Sequence, residues 1–186
     1  MENIFIRDCF KNLKNNTEIF KLNYEELEGK YHIPKEIIDK QPIDKTNNTW
    51  KLVATSITSN EIKKIEERFC IKFPNLYKEF IGTFAHLITK LNGTVDNFLF
   101  EDNVEVTWEL SIQPFTRELE YIIKSIENTP ELIKANYLYI GEFNSSGPIC
   151  IDLIASNEDE MRIVCFDYED WCRSTTREDF KEVEIV

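Results

Sequence analysis

The stretch TSNEIKKIEERFCIKFPNLYKEFIGTF, from Thr58 to Phe84, most constrains what this chain can fold into. Thr58 with Glu61 three residues later makes a capping box, in which each residue satisfies an N–H group left open at a helix start. Ile62, Ile65 and Phe69 follow at helical spacing, with Lys63, Lys64, Glu66 and Glu67 on the opposite face. Pro74 has no N–H and a preset φ, which suits the first turn of a second helix. Leu76, Tyr77, Phe80, Ile81 and Phe84 form the apolar stripe of that helix. Only Cys70-Ile71-Lys72-Phe73 separates the two, so the spacing predicts a packed helical pair.

The rest of the chain reads as structure wrapped around this pair. Residues 3–14 place Ile6, Cys9, Phe10 and Leu13 on one stripe and predict a short helix, and residues 41–49 read as a polar linker. The second helix is expected to run on through His86 to Lys90 and to close at Asn92-Gly93. A strand over 95–100 and a turn at Glu101-Asp102-Asn103 follow. From 104 to 110, Val104, Val106, Trp108 and Leu110 alternate with Glu105, Thr107 and Glu109, the cleanest strand pattern in the chain. Strand, turn and strand make a hairpin with an acidic outer row. A helix over 116–126 carries Leu119, Ile122, Ile123 and Ile126, and Asn128-Thr129-Pro130 ends it. Strands are expected over 137–140, 149–154 and 161–166, with short links that favour antiparallel neighbours, and residues 180–186 read as an edge strand. The pattern as a whole predicts an α+β fold, a mostly antiparallel sheet of about five to six strands packed against several helices. It divides into an N-terminal helical extension or cap over 1–49 and a main domain over 50–186.

Composition narrows the function classes. The chain has 186 residues and 42% are hydrophobic, with 13 Phe and 7 Tyr, so one large domain with an aromatic core is expected. Five Gly are few for phosphate-cradling loops, and no apolar run reaches the roughly 18 residues of a membrane span. The first 16 residues hold charges inside every apolar stretch and are read as no signal peptide, which points to the cytoplasm. The five Cys lack close pairing and are read as free, mostly buried thiols of a reducing compartment. The net charge is −12, and it is uneven: residues 91–186 hold 7 basic against 21 acidic residues, a net of −14. Such a surface repels phosphate backbones, which disfavours direct nucleic-acid binding, and it speeds encounter with a basic partner. A solvated surface that only confers solubility has the same charge.

Motifs for chemistry are sparse. There is no G-x-x-x-x-G-K-[ST], no G-x-G-x-x-G after a strand and no H-E-x-x-H, and His32 and His86 sit in different regions. Cys165 and Cys172 lack zinc-ligand spacing, so no metal or cofactor is expected. Asp152 on one strand and Glu160-Met161-Arg162 opening the next could hold Mg²⁺ as a carboxylate pair. Against this, Arg162 cannot carry a proton as Lys does, and the acidic half lacks a basic groove. The acidic rows point elsewhere. Glu101, Asp102, Glu105 and Glu109 share the hairpin, Glu158, Asp159 and Glu160 share a loop, and Asp167, Glu169 and Asp170 share a turn with Tyr168 and Trp171. Carboxylates with aromatic anchors suit a grip on a basic protein, and the hairpin and the 167–171 turn are the candidate contact residues.

The signature EIKKIEERF followed by IKFPNLYKEFI, with Glu61, Ile62, Ile65, Glu66, Ile71, Pro74, Tyr77, Phe80 and Ile81 at the key positions, resembles that of the SMI1/KNR4 (SUKH) superfamily. Tyr139 to Phe143, Ile149 to Leu153 and Arg162 to Glu169 are similar to its strand, loop, strand unit and the strand after it. Two positions differ: Asn92-Gly93 arrives later than the family's Gly-Gly, and Ser146-Gly147-Pro148 stands where Gly-Asp is usual. The resemblance implies a non-enzymatic immunity protein of a bacterial polymorphic or contact-dependent toxin system, which neutralises a cognate basic toxin, often a nuclease, by stoichiometric binding. A regulatory or scaffold protein of the same superfamily is the alternative, and a metal-dependent hydrolase at Asp152 and Glu160 the second.

Overall fold

A computed structural model describes the backbone of residues 21–22, 48–49, 53–85, 90–95, 104–110, 118–143, 147–157, 160–174, 176–180 and 182–184. It describes the side chains of 54–83, 119–142, 147–157, 160–174, 176–180 and 182. In the N-terminal third, β1 (Lys21–Leu22) pairs antiparallel with β2 (Asn48–Thr49), so the end of the expected polar linker belongs to a ladder. The helix expected over 3–14 lies outside the described residues.

The helical pair forms as its sequence predicts. α1 (Ser59–Phe69) starts on the reciprocal cap: the Glu61 N–H donates to Thr58 Oγ1 at 3.3 Å and the Thr58 N–H donates to Glu61 Oε2 at 2.8 Å. It ends at Cys70, which takes the left-handed conformation with φ 54°. α2 (Asn75–Thr83) follows Pro74. The turn between them is pinned from within, because Glu66 Oε1 accepts the Phe73 N–H at 2.8 Å and lies 3.6 Å from Lys78 Nζ. Ile62, Ile65, Tyr77 and Ile81 of the two stripes are buried, as is Phe73 of the link between them, whereas Phe69, Leu76 and Phe80 are half-buried.

α2 ends earlier than expected. Phe84 leaves the helix to form β4 (Phe84–Ala85), which pairs antiparallel with β3 (Val53–Ala54), and the Thr55 N–H donates to the Thr83 carbonyl at 3.3 Å. Residues 86–89 lie outside the described residues, and Lys90 and Asn92-Gly93, read as the end of that helix, sit in β5 (Lys90–Val95). A strand partner at hand outranks the weak local preference for continuing a helix. β5 pairs antiparallel with β6 (Val104–Leu110), from Lys90↔Glu109 to Val95↔Val104. The strand expected over 95–100 is therefore displaced to 90–95, and the turn Glu101-Asp102-Asn103 lies outside the described residues.

The remaining elements run α3 (Glu118–Asn128), α4 (Pro130–Lys134), β7 (Tyr137–Phe143), β8 (Gly147–Asp152), β9 (Ile163–Cys165), α5 (Tyr168–Arg173), a 3₁₀ turn over Arg177–Asp179 and β10 (Val183–Glu184). Pro130, expected only as a stop, opens α4 at a first-turn position that needs no N–H. The fold is mixed α/β on an antiparallel sheet, with strand order β10-β9-β8-β7-β6-β5. β10 is the expected edge strand. The three strands whose side chains are described, β7, β8 and β9, form its centre. Every residue of β8 is buried, so this strand is covered on both faces rather than alternating with solvent. One cluster joins Leu138 and Ile151 to α1, α2, and Ile122 and Ile126 of α3. The other joins Tyr137, Cys150, Val164, Phe166 and Phe180 to Leu132 of α4. Neighbours along a strand point to opposite faces, so these clusters lie on opposite sides of the sheet.

Candidate functional site

A cleft of about 410 Å³ opens where α3, β7 and α5 meet. α3 supplies Glu120, Tyr121, Lys124, Ser125 and Asn128, with Thr129 beyond its end. β7 supplies Tyr139 and Glu142, and α5 supplies Trp171. The place follows from the sheet register. β6 pairs with β7 only at Gly141, Glu142 and Phe143, which leaves Tyr137–Ile140 without a β6 partner among the described residues. A bulge between Tyr139 and Gly141 shifts the strand there; such a bulge bends a strand and re-aims its side chains.

Three aromatic residues, two carboxylates and one ammonium thus line the cleft. Trp171 is fixed in place: its indole N–H donates to Glu131 Oε1 at 3.2 Å, and Tyr168 meets its ring edge-on at 5.5 Å. Tyr168 itself is 53% exposed. Ser125 is 7% exposed, and its hydroxyl has no hydrogen-bond partner among the described residues. The Ser125 carbonyl, by contrast, accepts the Thr129 hydroxyl at 2.9 Å. A buried hydroxyl left unpaired costs on the order of 1–3 kcal/mol.

A second polar cluster lies on the sheet. Asp152 is fully buried at the end of β8. Its Oδ1 accepts the N–H groups of Ile154 and Ala155 at 3.0 and 3.1 Å. Its Oδ2 accepts Arg162 at 2.8 Å and Arg177 at 2.6 Å. Both arginines also reach Glu182, which the Tyr137 hydroxyl contacts as well, and the Arg177 guanidinium lies 4.4 Å above the Tyr137 ring. Burial pushes the Asp152 carboxyl up, but Arg177 and the two backbone N–H groups outweigh it and hold it below the usual carboxylate range. Burial and then Glu182 push the Tyr137 phenol well above its ordinary value. Two guanidinium groups face two carboxylates, so the cluster is self-neutralising. It ties the C-terminal turn and the approach to β10 onto β7 and β8.

The comparisons with known proteins bear on this architecture. The model of the SMI1 / KNR4 family (SUKH-1) matches residues 56–185. The chain belongs to the SMI1/KNR4 family. The matched span includes α1, α2, the cleft and the Asp152 cluster, and SUKH proteins are commonly immunity proteins. No curated protein and no solved structure matches the chain.

In this SMI1/KNR4 family member the structure separates the residues singled out from the sequence. Glu101, Asp102, Glu158 and Asp159 lie outside the described residues. Glu105 and Glu109 stand on β6 opposite Thr94 and Lys90 of β5, and Glu109 also stands opposite Glu142 of β7, which places the hairpin next to the cleft. Residues 168–171 form part of a helix rather than the expected turn. Asp167 is its N-cap and accepts the Glu169 and Asp170 N–H groups at 2.8 and 3.4 Å. Glu169 pairs with Arg173 at 3.2 Å on the exposed side. The Mg²⁺ pairing of Asp152 and Glu160 meets a physical obstacle: both Asp152 oxygens are engaged, and a cation would have to displace two guanidinium groups. Among the described residues no three His, Cys, Asp or Glu side chains could hold a metal ion. Cys150 and Cys165 are buried as expected, whereas Cys70 and Cys172 are exposed.

Sequence reasoning missed Ser125, Tyr121 and Tyr139. Ser125 had a signal, for it sits between Ile122 and Ile126 on the apolar side of α3, where a hydroxyl needs a reason. The two tyrosines had none, since aromatic residues at such positions fill cores as often as they line clefts.

Proposed function

We propose that the chain is a non-enzymatic immunity protein, acting in the cytoplasm, that binds a cognate toxin of a bacterial polymorphic or contact-dependent system and neutralises it. Membership of the SMI1/KNR4 family over residues 56–185 is the observation on which this reading rests. The net charge of −12 supports it, because a nuclease-type toxin needs a basic surface to hold its substrate, and an acidic protein that covers that surface excludes the substrate. In this reading residues 50–186 are the binding domain, with a sheet of five to six strands, and residues 1–49 are a cap. The contact face takes in Asp167, Tyr168, Glu169, Asp170 and Trp171 on α5 and extends across Glu142 to Glu109, Glu105, Asp102 and Glu101 of the hairpin.

The test is co-expression with the product of the neighbouring gene. The two proteins are expected to co-purify at one-to-one stoichiometry, and the chain is expected to restore growth to cells that express the toxin. Absence of both outcomes rejects the immunity reading. Charge reversal of Glu101, Glu105 and Glu109 together is expected to slow association and steepen its loss with salt; unchanged kinetics would remove the hairpin from the contact face.

A further inference from the structure

We propose that the cleft between α3, β7 and α5 receives the guanidinium group of an arginine on the partner protein. This deepens the immunity reading and rests on it for the identity of the partner. The chemistry of the cleft selects the occupant. Its formal charges are Glu120, Glu142 and Lys124, a net of one negative, so anions are disfavoured. Lys124 follows Glu120 by one turn on α3, which leaves Glu142, on the strand across the cleft, as the carboxylate with least competition. Tyr121, Tyr139 and Trp171 add aromatic surface on which a flat, weakly hydrated cation stacks better than a compact ammonium.

Ser125 is the independent sign that something is received here. The residue is more than nine-tenths buried and lines the cleft, and its hydroxyl has no partner among the described residues. A guanidinium carries five N–H donors in a fixed fork. One edge can bind Glu142 while another N–H is accepted by Ser125 Oγ. A lysine ammonium offers no such planar fork. The volume, about 410 Å³, lies at the small end of the roughly 300–1,000 Å³ of pockets for drug-sized ligands, which suits one long side chain entering from a protein surface.

The test uses the full chain and N-acetyl-L-arginine amide as probe, followed by NMR at the Trp171 indole N–H, whose resonance is identified by its loss in Trp171→Phe. The arginine probe is expected to shift this resonance saturably. N-acetyl-L-lysine amide and the neutral N-acetyl-L-citrulline amide are expected to bind about tenfold more weakly or less, and Glu142→Gln is expected to weaken the arginine probe by a similar factor. Glu142 is exposed, so that variant keeps the wild-type melting curve. Equal binding of the three probes, or no shift with arginine, overturns the proposal. The same variants separate it from the immunity reading. A toxin that binds wild type, Glu142→Gln and Ser125→Ala alike leaves immunity standing and removes the arginine socket. An arginine probe that binds a chain with no toxin partner leaves the socket standing and removes immunity.

Discussion

The Asp152 cluster and the α3–β7–α5 cleft are both polar, partly acidic and built against β7, yet they differ in what satisfies their polar groups. In the cluster every Asp152 lone pair is met by the chain itself, through two arginines and two backbone N–H groups. In the cleft the buried hydroxyl of Ser125 has no partner among the described residues, and the lining carries two carboxylates against one ammonium. The first arrangement is closed and fixes structure. The second is incomplete and is completed by a ligand. Charge counted along the sequence cannot make this distinction; only the placement of the counter-charges can.

The largest expected effect breaks the closed member of the pair. Asp152→Ala takes one of the cluster's two carboxylates away from its two guanidinium groups, and removal of one partner from a buried ion network typically costs about 3–5 kcal/mol, read as a lower urea midpoint. The pH dependence has a definite sign. The folded Asp152 carboxyl lies below its ordinary value of about 3.9. Its stabilisation is therefore complete above about pH 4 and is lost as pH falls through the folded value. Asp152→Asn flattens this acid limb of the stability curve. Substitutions in the cleft leave the limb unchanged, and a cleft variant that reproduced the Asp152 profile would erase the contrast.

The next effect tests how the two regions are joined. A Cβ at Gly147 would lie 1.8 Å from the Phe166 carbonyl oxygen and 2.9 Å from its carbon, both rigid backbone. Phe166 leads into the Asp167 cap of α5, so Gly147→Ala must push the start of α5 away from β8. Overpacking of this kind costs about 1–3 kcal/mol. The expected result is a lower melting temperature together with altered Trp171 emission, measured in a Trp50→Phe/Trp108→Phe background. A stable variant with unaltered Trp171 emission would show that α5 is held independently of β8.

The same contrast explains what was legible beforehand. The helical pair could be read residue by residue, because its cap, stripes and Pro74 are all local signals. β6 could be read because it alternates without interruption. The end of α2 could not, since β3 decides it from thirty residues upstream. α5 stands where a turn is expected: Asp167 followed by Glu169 and Asp170 is a helix-start pattern, but the same carboxylates also suit an exposed acidic turn. Asp152 was legible only as a possible Mg²⁺ partner of Glu160, because its ion pairs depend on Arg162 and on Arg177, which arrives from a later turn. The cleft was the least legible part, because it is assembled from three elements distant in sequence and marked by one serine.

A smaller effect sharpens the comparison. Glu120→Gln with Glu142→Gln removes both cleft carboxylates, which are exposed, so stability is expected to stay within about 0.5 kcal/mol of wild type. Retention of the co-expressed toxin on the column is nevertheless expected to fall. Asp152→Ala has the opposite signature, with stability lost and any binding defect proportional to the unfolded fraction.

The smallest effect concerns Ser125, where the two regions predict opposite signs. Truncating a polar group of a closed network destabilises, as at Asp152. Ser125→Ala instead removes a buried hydroxyl with no partner among the described residues, and it places the best helix former near the end of α3. The free chain is therefore expected to gain stability, by up to about 1 kcal/mol, while its affinity for the toxin falls. Destabilisation of the free chain by a similar amount would mean that the hydroxyl is already satisfied within the fold, and the cleft would then be as closed as the Asp152 cluster. Gain in the free chain with loss in the complex is the combination expected where a fold tolerates an unpaired group for the sake of a partner.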